Sequence, residues 1–131
     1  MAGDWSNAID RARETAPFLA RSLDRLPELA EMLAAGDAEG AFAYCSSAGD
    51  GASLGVAMRR ERLALALTLA IGDLAGAFSL DQVMTQLSTF ADQTLDRAIH
   101  EAARERTGAE SIDGFFALAL GKHGACELNY S

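Results

Sequence analysis

The chain has 131 residues, half of them hydrophobic, which is enough to bury about two-thirds of its unfolded surface in one domain. Its 19 acidic and 11 basic side chains give a net charge of −8. Such a surface repels phosphate backbones and anionic lipids, so we expect neither nucleic acid nor a membrane as a partner. The longest apolar run, 63–71, is too short for a bilayer, which needs about 20 residues. With no signal peptide at the N-terminus, the sequence predicts a soluble cytoplasmic protein.

Helical spacing dominates the first part of the chain. Apolar residues recur at intervals of three, four and seven over 6–25, which predicts a helix. Pro17 breaks or restarts it, because an interior proline loses a hydrogen bond and clashes with the preceding turn. Pro27 suits the first turn of a second helix, which Gly36 closes. Asp37 is the expected N-cap of a third helix, and the glycine- and serine-rich stretch that follows is the one obvious loop.

The stretch 63–71 has an ambiguous pattern. Leucine alternates with a second residue, which by itself is typical of a strand. The second residue is mostly alanine, the best helix former, and apolar residues from Leu63 to Phe78 also share one helical stripe. We therefore interpret 53–77 as a helix that is buried on most sides, with the charged residues 59–62 at its wetter end. The three arginines there suit either a solvated helix end, which we favour, or a contact with an anionic partner.

The next predicted helix is the longest and clearest element. Ser79 and Gln82 match the capping box that begins a helix. Apolar residues then keep a spacing of three and four over 80–102, and Gly108 ends the helix after a basic last turn.

The pattern changes after this helix. The segment 114–120 is short, apolar and bounded by glycines, which predicts one buried strand. A single strand cannot satisfy its own backbone groups, so it must pair with something. Little sequence remains in the chain for this strand to pair with. We therefore expect one of three outcomes: a second copy of the chain pairs with it and forms a homo-oligomer, the segment packs irregularly, or the segment becomes helical. The predicted fold class is mainly α: a helical bundle that leads into the first strand of another domain.

A candidate phosphate turn follows the predicted strand. Gly121 permits a tight turn, Lys122 offers a cation, and Gly124 lets a ligand approach the backbone closely. The residues "ACEL" after the turn are expected to open a helix whose free N–H groups face it, a combination that suits an anion. A Gly-Lys-x-Gly turn also often does no more than connect two elements, so this pattern alone leaves both interpretations open.

Histidine and cysteine show no metal-binding spacing. His123 could donate to a phosphate oxygen, although we favour an exposed turn residue. Cys126 could be a reactive thiolate at a helix N-terminus, although we favour a small buried thiol. Cys45 is predicted to pack in the core, His100 to lie on the surface, and Trp5 to be disordered near the terminus. Both thiols are expected to be reduced.

The end of the chain resembles a segment of the glutamine synthetase adenylyltransferase/adenylyl-removing enzymes. In many members that segment reads G-[KR]-x-G-x-x-E-L-x-[YF]-x-S-D-hydrophobic-D. The residues that fall on this pattern are Gly121, Lys122, Gly124, Glu127, Leu128, Asn129, Tyr130 and Ser131, of which Asn129 and Ser131 stand where the pattern specifies no residue. Upstream, "APFLARSLDRLPELAEML" and the basic-then-apolar stretch that begins "RRERLALALTLAIGDLAG" resemble helical segments of the same family, so the resemblance spans nearly the whole chain.

This resemblance implies tandem nucleotidyltransferase domains of the DNA-polymerase-β type. The chain resembles the N-terminal half of these enzymes more than the C-terminal half. In the family, the N-terminal half removes AMP from glutamine synthetase by phosphorolysis, and the C-terminal half adds AMP from ATP. Magnesium held by an Asp-x-Asp pair would serve both reactions, with ATP, ADP or phosphate as reactants. Glutamine synthetase and the PII signalling protein are the implied partners. Residues 1–110 would form the helical region, and 111–131 the start of the nucleotidyltransferase domain, with Gly121, Lys122 and Gly124 as phosphate-binding residues.

The main departure from the family is the absence of an Asp-x-Asp pair anywhere in the 131 residues. The chain stops shortly before the position where the family's pair would begin. We therefore expect an N-terminal fragment that neither adds nor removes AMP by itself and needs no cofactor. His123, Ala125 and Cys126 also differ from the residues that many members carry. The alternative hypothesis is a stand-alone helical module that binds a protein partner without catalysis.

Overall fold

The computed structural model describes residues 3–108, Gly114 and 117–129, and the described residues form helices without any strand. The predicted fold class, mainly α, is confirmed at that level. The helices are α1 (Trp5–Thr15), α2 (Pro17–Arg25), α3 (Pro27–Ala34), α4 (Ala38–Ser47), α5 (Leu54–Leu74), α6 (Leu80–Thr107) and α7 (Gly121–Gly124). These helices belong to two compact units, of which the first ends at Val83 and the second begins at Met84.

The two prolines divide the first predicted helix and begin the next. Pro17 and Pro27 are each the first residue of a helix, α2 and α3. The preceding residues, Ala16 and Leu26, have ψ values of 89° and 65°, because the proline ring disfavours the helical conformation in the residue before it. The predicted break at Pro17 is confirmed.

Side-chain and glycine caps fix the helix ends as predicted. The Asp37 carboxylate accepts a hydrogen bond of 2.9 Å from the Gly40 amide and caps α4. Gly36 has a φ of +72° after α3, a conformation that costs glycine little. The reciprocal capping box that begins α6 is also present, with the Ser79 amide 2.8 Å from Gln82 Oε1 and the Gln82 amide 3.2 Å from Ser79 Oγ.

Helix α5 is the centre of the first unit. It contacts α1, α2, α3 and α4, which confirms the prediction of a helix buried on most sides. The charged end of α5 was predicted to be exposed to solvent. This prediction is confirmed for the three arginines of 59–62 but is wrong for Glu61, which is buried. Among the described residues, the largest fully buried side chains are Leu23, Leu29, Leu33, Leu67, Leu69, Ile71, Thr68 and Ser88. All but Ser88 precede residue 84, so most of the core lies in the first unit.

An aromatic cluster closes one part of this core. The ring of Phe78 lies 5.8 Å from that of Trp5 in an edge-on arrangement and 5.6 Å from that of Phe42. Trp5 is only 8% exposed, so the prediction that it is disordered is wrong. The free energy gained by packing the Trp5 ring against Phe78 exceeds the conformational entropy that the N-terminal segment loses when it becomes ordered.

Helix α6 confirms the long helix predicted from Ser79 onward, and Gly108 ends it with a φ of +67°. The predicted apolar stripe is only partly buried. Val83 is 3% exposed, whereas Leu80 and Leu95 are 70% and 41% exposed. No helix in the described part of the chain is long and apolar enough to span a bilayer.

The predicted strand 114–120 is absent from its described residues. Residues 117–120 have no regular secondary structure, and Leu118 and Leu120 are each 76% exposed. A lone strand has no partner for its backbone groups, which accounts for the irregular conformation. Phe115 and Phe116 lie outside the described residues. Only Gly114 is described between 109 and 116, so a domain boundary near 110 stays a prediction.

Candidate functional site

The Gly-Lys-His-Gly turn, residues 121–124, forms the short helix α7 of the second unit. Leu120 enters it in an extended conformation, and Gly121 has a φ of +62°, which favours glycine at that position. Lys122 is exposed and is the only lysine among the 131 residues. None of the described carboxylates pairs with its ammonium group. The turn therefore presents one positive charge to solvent.

Gly124 is required by the turn itself. A Cβ atom at this position would lie 2.5 Å from the carbonyl oxygen of Ala119, closer than any side chain tolerates. The Gly124 amide also donates a hydrogen bond of 3.4 Å to the Leu120 carbonyl. The sequence suggested that Gly124 admits a ligand, and the structure gives it a role inside the chain as well.

The residues "ACEL" end a helix rather than begin one, contrary to the prediction. The Cys126 and Glu127 amides donate to the carbonyls of His123 and Lys122 at 3.1 and 2.7 Å, the pair of bonds that closes a helix in a Schellman motif. These N–H groups are therefore not free for an anion. Cys126 has a φ of +57° and is exposed, so the prediction that it is buried is wrong. In this motif the residue after the helix turns outward in a left-handed conformation.

His123 is paired with the long helix, which the sequence analysis missed. Its Nε2 lies 2.6 Å from Oδ1 of Asp92 on α6, and its side chain is 23% exposed. An ionised carboxylate can only accept, so Nε2 carries the hydrogen. The contact is an ion pair when the imidazole is protonated and a hydrogen bond when it is neutral. The favoured interpretation of His123 as an exposed turn residue is wrong.

Ser88 makes a second contact between α6 and this segment. It is 2% exposed, and its Oγ accepts a hydrogen bond of 3.5 Å from the Leu128 amide. Ser88 and Asp92 are four residues apart, so they lie on one face of α6. Their spacing was visible in the sequence, but their partners lie 40 and 31 residues further along the chain. No local pattern could identify those partners.

The other candidate groups, His100 and Cys45, contact residues outside the turn. His100 is exposed, with Nδ1 at 2.8 Å from the Asp96 carbonyl oxygen within α6, as predicted for a surface residue. Cys45 is buried, as predicted, and its sulfur lies 3.4 Å from Thr68 Oγ1. Burial raises the pKa of the Cys45 thiol above its ordinary value of 9.0, although the contact with Thr68 opposes this shift. Both cysteines are free thiols.

The described residues contain no group of three or more histidine, cysteine, aspartate or glutamate side chains that could hold a metal ion. What the site offers is a single exposed ammonium group on a glycine-bounded turn that Asp92 of α6 contacts through His123, while Ser88 of α6 contacts Leu128 beyond the turn.

Comparison with protein families shows which family carries this turn. The family model described as glutamate-ammonia ligase adenylyltransferase matches residues 7–131. The chain belongs to this family. The match includes the turn, α6 and all but the first two residues of α1, so the resemblance seen in the sequence is confirmed.

The similar curated proteins are all bifunctional glutamine synthetase adenylyltransferase/adenylyl-removing enzymes. The Bradyrhizobium sp. (strain ORS 278) enzyme is 36% identical over 156 aligned residues, which include 100% of this chain and 15% of that enzyme. The Caulobacter vibrioides enzyme is 39% identical over 85 residues, 56% of this chain and 9% of the enzyme. The chain thus spans a small part of the length of these relatives. No solved structure matches the chain.

Proposed function

We propose that this chain supplies the helical region and the phosphate turn of an enzyme that controls glutamine synthetase by removing or adding AMP. The observation that carries the proposal is the family match over residues 7–131. It is supported by relatives whose names state both adenylyl transfer and adenylyl removal. Those activities belong to proteins of which this chain matches 9–15%, so the chain contributes one region of such an enzyme.

Within that region, we propose that the Lys122 turn binds a phosphate group. Lys122 is exposed and has no partner among the described carboxylates, so its ammonium group is available to a phosphate oxygen. A charge-assisted hydrogen bond to phosphate is stronger than one between neutral groups. Gly121 and Gly124 keep side chains away from the backbone on both sides of the lysine. The net charge of −8 disfavours anions over the rest of the surface, which makes one local cation the expected contact.

The chain by itself is proposed to neither add nor remove AMP. No Asp-x-Asp occurs in its 131 residues, and charge neutralisation by metal is the main service that such sites provide to phosphoryl transfer. Magnesium and ATP, ADP or phosphate would act in the whole enzyme. Glutamine synthetase and PII as partners, a cytoplasmic location, and pairing of two copies through 114–120 belong to the same proposal.

The lysine count makes the phosphate contact directly measurable. Reductive methylation with ¹³C-formaldehyde labels only Lys122 and the N-terminal amine, and dimethyl-lysine keeps its charge. We expect titration with inorganic phosphate to shift the Lys122 methyl signal in a saturable way and to leave the N-terminal signal unchanged. Sodium chloride at matched ionic strength is the control. A Lys122 response to phosphate no larger than its response to chloride would refute this contact.

The proposed inactivity is tested with adenylylated glutamine synthetase as substrate. Incubation with the 131-residue chain, phosphate and magnesium should release no ADP, the product of phosphorolysis, above a protein-free control. ADP release would show that the chain holds a complete reaction site.

A further inference from the structure

The second unit places two side chains of α6 against the segment that carries Lys122. Asp92 contacts His123 within α7, and Ser88 contacts the Leu128 amide four residues beyond α7. These contacts lie on either side of the left-handed residue Cys126. The segment is therefore fixed to α6 both within the helix and after it, over a stretch whose other described hydrogen bonds are mostly local.

We infer that Asp92 and Ser88 are positioning residues, which orient the Lys122 turn by holding His123 and Leu128 against α6. Successive residues of a helix point about 100° apart. Fixing the His123 side chain on α6 thus turns the neighbouring Lys122 side chain away from α6, where it is exposed. The functional consequence rests on the proposed phosphate contact of Lys122.

The burial of the partners supports this role. Ser88 is almost fully buried, and a buried hydroxyl that loses its hydrogen-bond partner destabilises the structure because it remains desolvated without a replacement partner. The His123 side chain is 23% exposed while that of Asp92 is 64% exposed, so the histidine is held in the interface and the aspartate reaches it from the solvent side. In an ion pair that lies entirely on the protein surface, both side chains would be exposed.

Helix α6 also contains a matched control. Asp96 and His100 form an aspartate–histidine pair at 3.5 Å, with side chains that are 70% and 46% exposed. Asp96→Asn removes the same charge from the same helix four residues away from Asp92, and Asp96 forms no hydrogen bond or ion pair with a described residue of 117–129. It separates the loss of a specific contact from a general change in the charge of α6.

The test uses the full 131-residue chain and amide hydrogen exchange measured by NMR. We expect Asp92→Asn to speed exchange of the Cys126 and Glu127 amides about threefold to tenfold, the effect of one charge-assisted hydrogen bond. His123→Gln should have the same effect, and the double variant should exceed neither, because both remove one contact. The control Asp96→Asn should leave these amides unchanged. If Asp92→Asn exchanges no faster than Asp96→Asn, the inference is overturned.

Two further variants keep the result interpretable. Asp92→Glu retains the carboxylate and should recover part of the protection, which a loss of helix stability would not predict. Ser88→Ala should speed exchange of the Leu128 amide most. The fluorescence of Trp5, which lies in the first unit, checks that each variant retains a folded first unit.

The phosphate titration of methylated Lys122, repeated on Asp92→Asn, tests the functional consequence. We expect the apparent dissociation constant for inorganic phosphate to rise about threefold or more although Lys122 is intact. An unchanged constant together with faster exchange would overturn positioning as a functional role. If phosphate fails to bind even the unaltered chain, the proposed phosphate contact fails, and the exchange data still decide whether Asp92 holds the turn.

Discussion

Replacing Gly72 by alanine is the sharpest test of the packing in the first unit. A Cβ atom at this position in α5 would lie 2.2 Å from Cε2 and 2.4 Å from Cδ2 of the Phe78 ring. The ring cannot move freely, because it packs against both Trp5 and Phe42. The substitution should therefore push Phe78 out of the aromatic cluster.

The expected loss outweighs the gain in helix propensity. Alanine in a helix interior is favoured over glycine by about 1 kcal/mol. Displacing Phe78 weakens two aromatic contacts that are each worth about 0.5–1.5 kcal/mol beyond their buried area, and forcing a methyl group into a packed site costs about 1–3 kcal/mol. The net result should be a decrease of about 1–5 kcal/mol in the free energy of unfolding.

Urea unfolding followed by Trp5 fluorescence measures this change, since the chain has one tryptophan. Gly55→Ala in the same helix is the control, because its nearest neighbour, an Arg59 side-chain nitrogen, lies 3.7 Å from the added carbon. It should leave stability unchanged or raise it by up to about 1 kcal/mol. Phe78→Leu added to Gly72→Ala should recover part of the loss. A Gly72→Ala chain as stable as Gly55→Ala would show that the cluster does not pack as described.

Three further predictions concern helix ends and thiols. Cys126→Gly should slow exchange of the Glu127 amide about fivefold, because glycine avoids the roughly 1 kcal/mol cost of a left-handed conformation; an unchanged rate in hydrogen-exchange NMR would exclude strain there. Ser79→Ala should lower the free energy of unfolding in urea by about 1 kcal/mol through loss of the α6 cap, and a neutral result would contradict that contribution. Because burial raises the pKa of Cys45 above 9.0, its contribution to stability should be complete below pH 9.0 and decline as the pH rises through the folded-state pKa. Cys45→Ala should flatten that decline in urea titrations, and an identical pH dependence would refute the assignment.

The predictable parts of this fold depend on residues close together in sequence. Proline fixes its own φ and restricts its predecessor, so Pro17 and Pro27 mark helix starts without knowledge of the fold. The Ser79–Gln82 capping box joins residues three positions apart. For α5, the alternation of leucine with a second residue fits both a strand and a helix. The second residue is mostly alanine, whose high helix propensity favours the helix.

The parts that could not be predicted depend on contacts between distant residues. Trp5 is ordered because Phe78 lies against it, and His123 is held because Asp92 lies 31 residues earlier in the chain. The left-handed conformation of Cys126 was missed because "ACEL" is compatible with the start of a helix, whereas the bonds to the preceding turn make it an end. The phosphate turn itself was recognised from family resemblance, since a Gly-Lys-x-Gly pattern alone does not separate a binding site from a connection.

The most direct test of the account is a replacement in a relative of known activity. In the Bradyrhizobium enzyme, the matched region, 15% of its length, would be exchanged for this chain. Phosphate-dependent release of ADP from adenylylated glutamine synthetase and addition of AMP from ATP would then be measured. We predict that both activities persist and that Lys122→Gln lowers ADP release by roughly a hundredfold while addition continues. A hybrid that adds AMP normally but releases no ADP, with the relative's own segment restoring release, would contradict the proposed function.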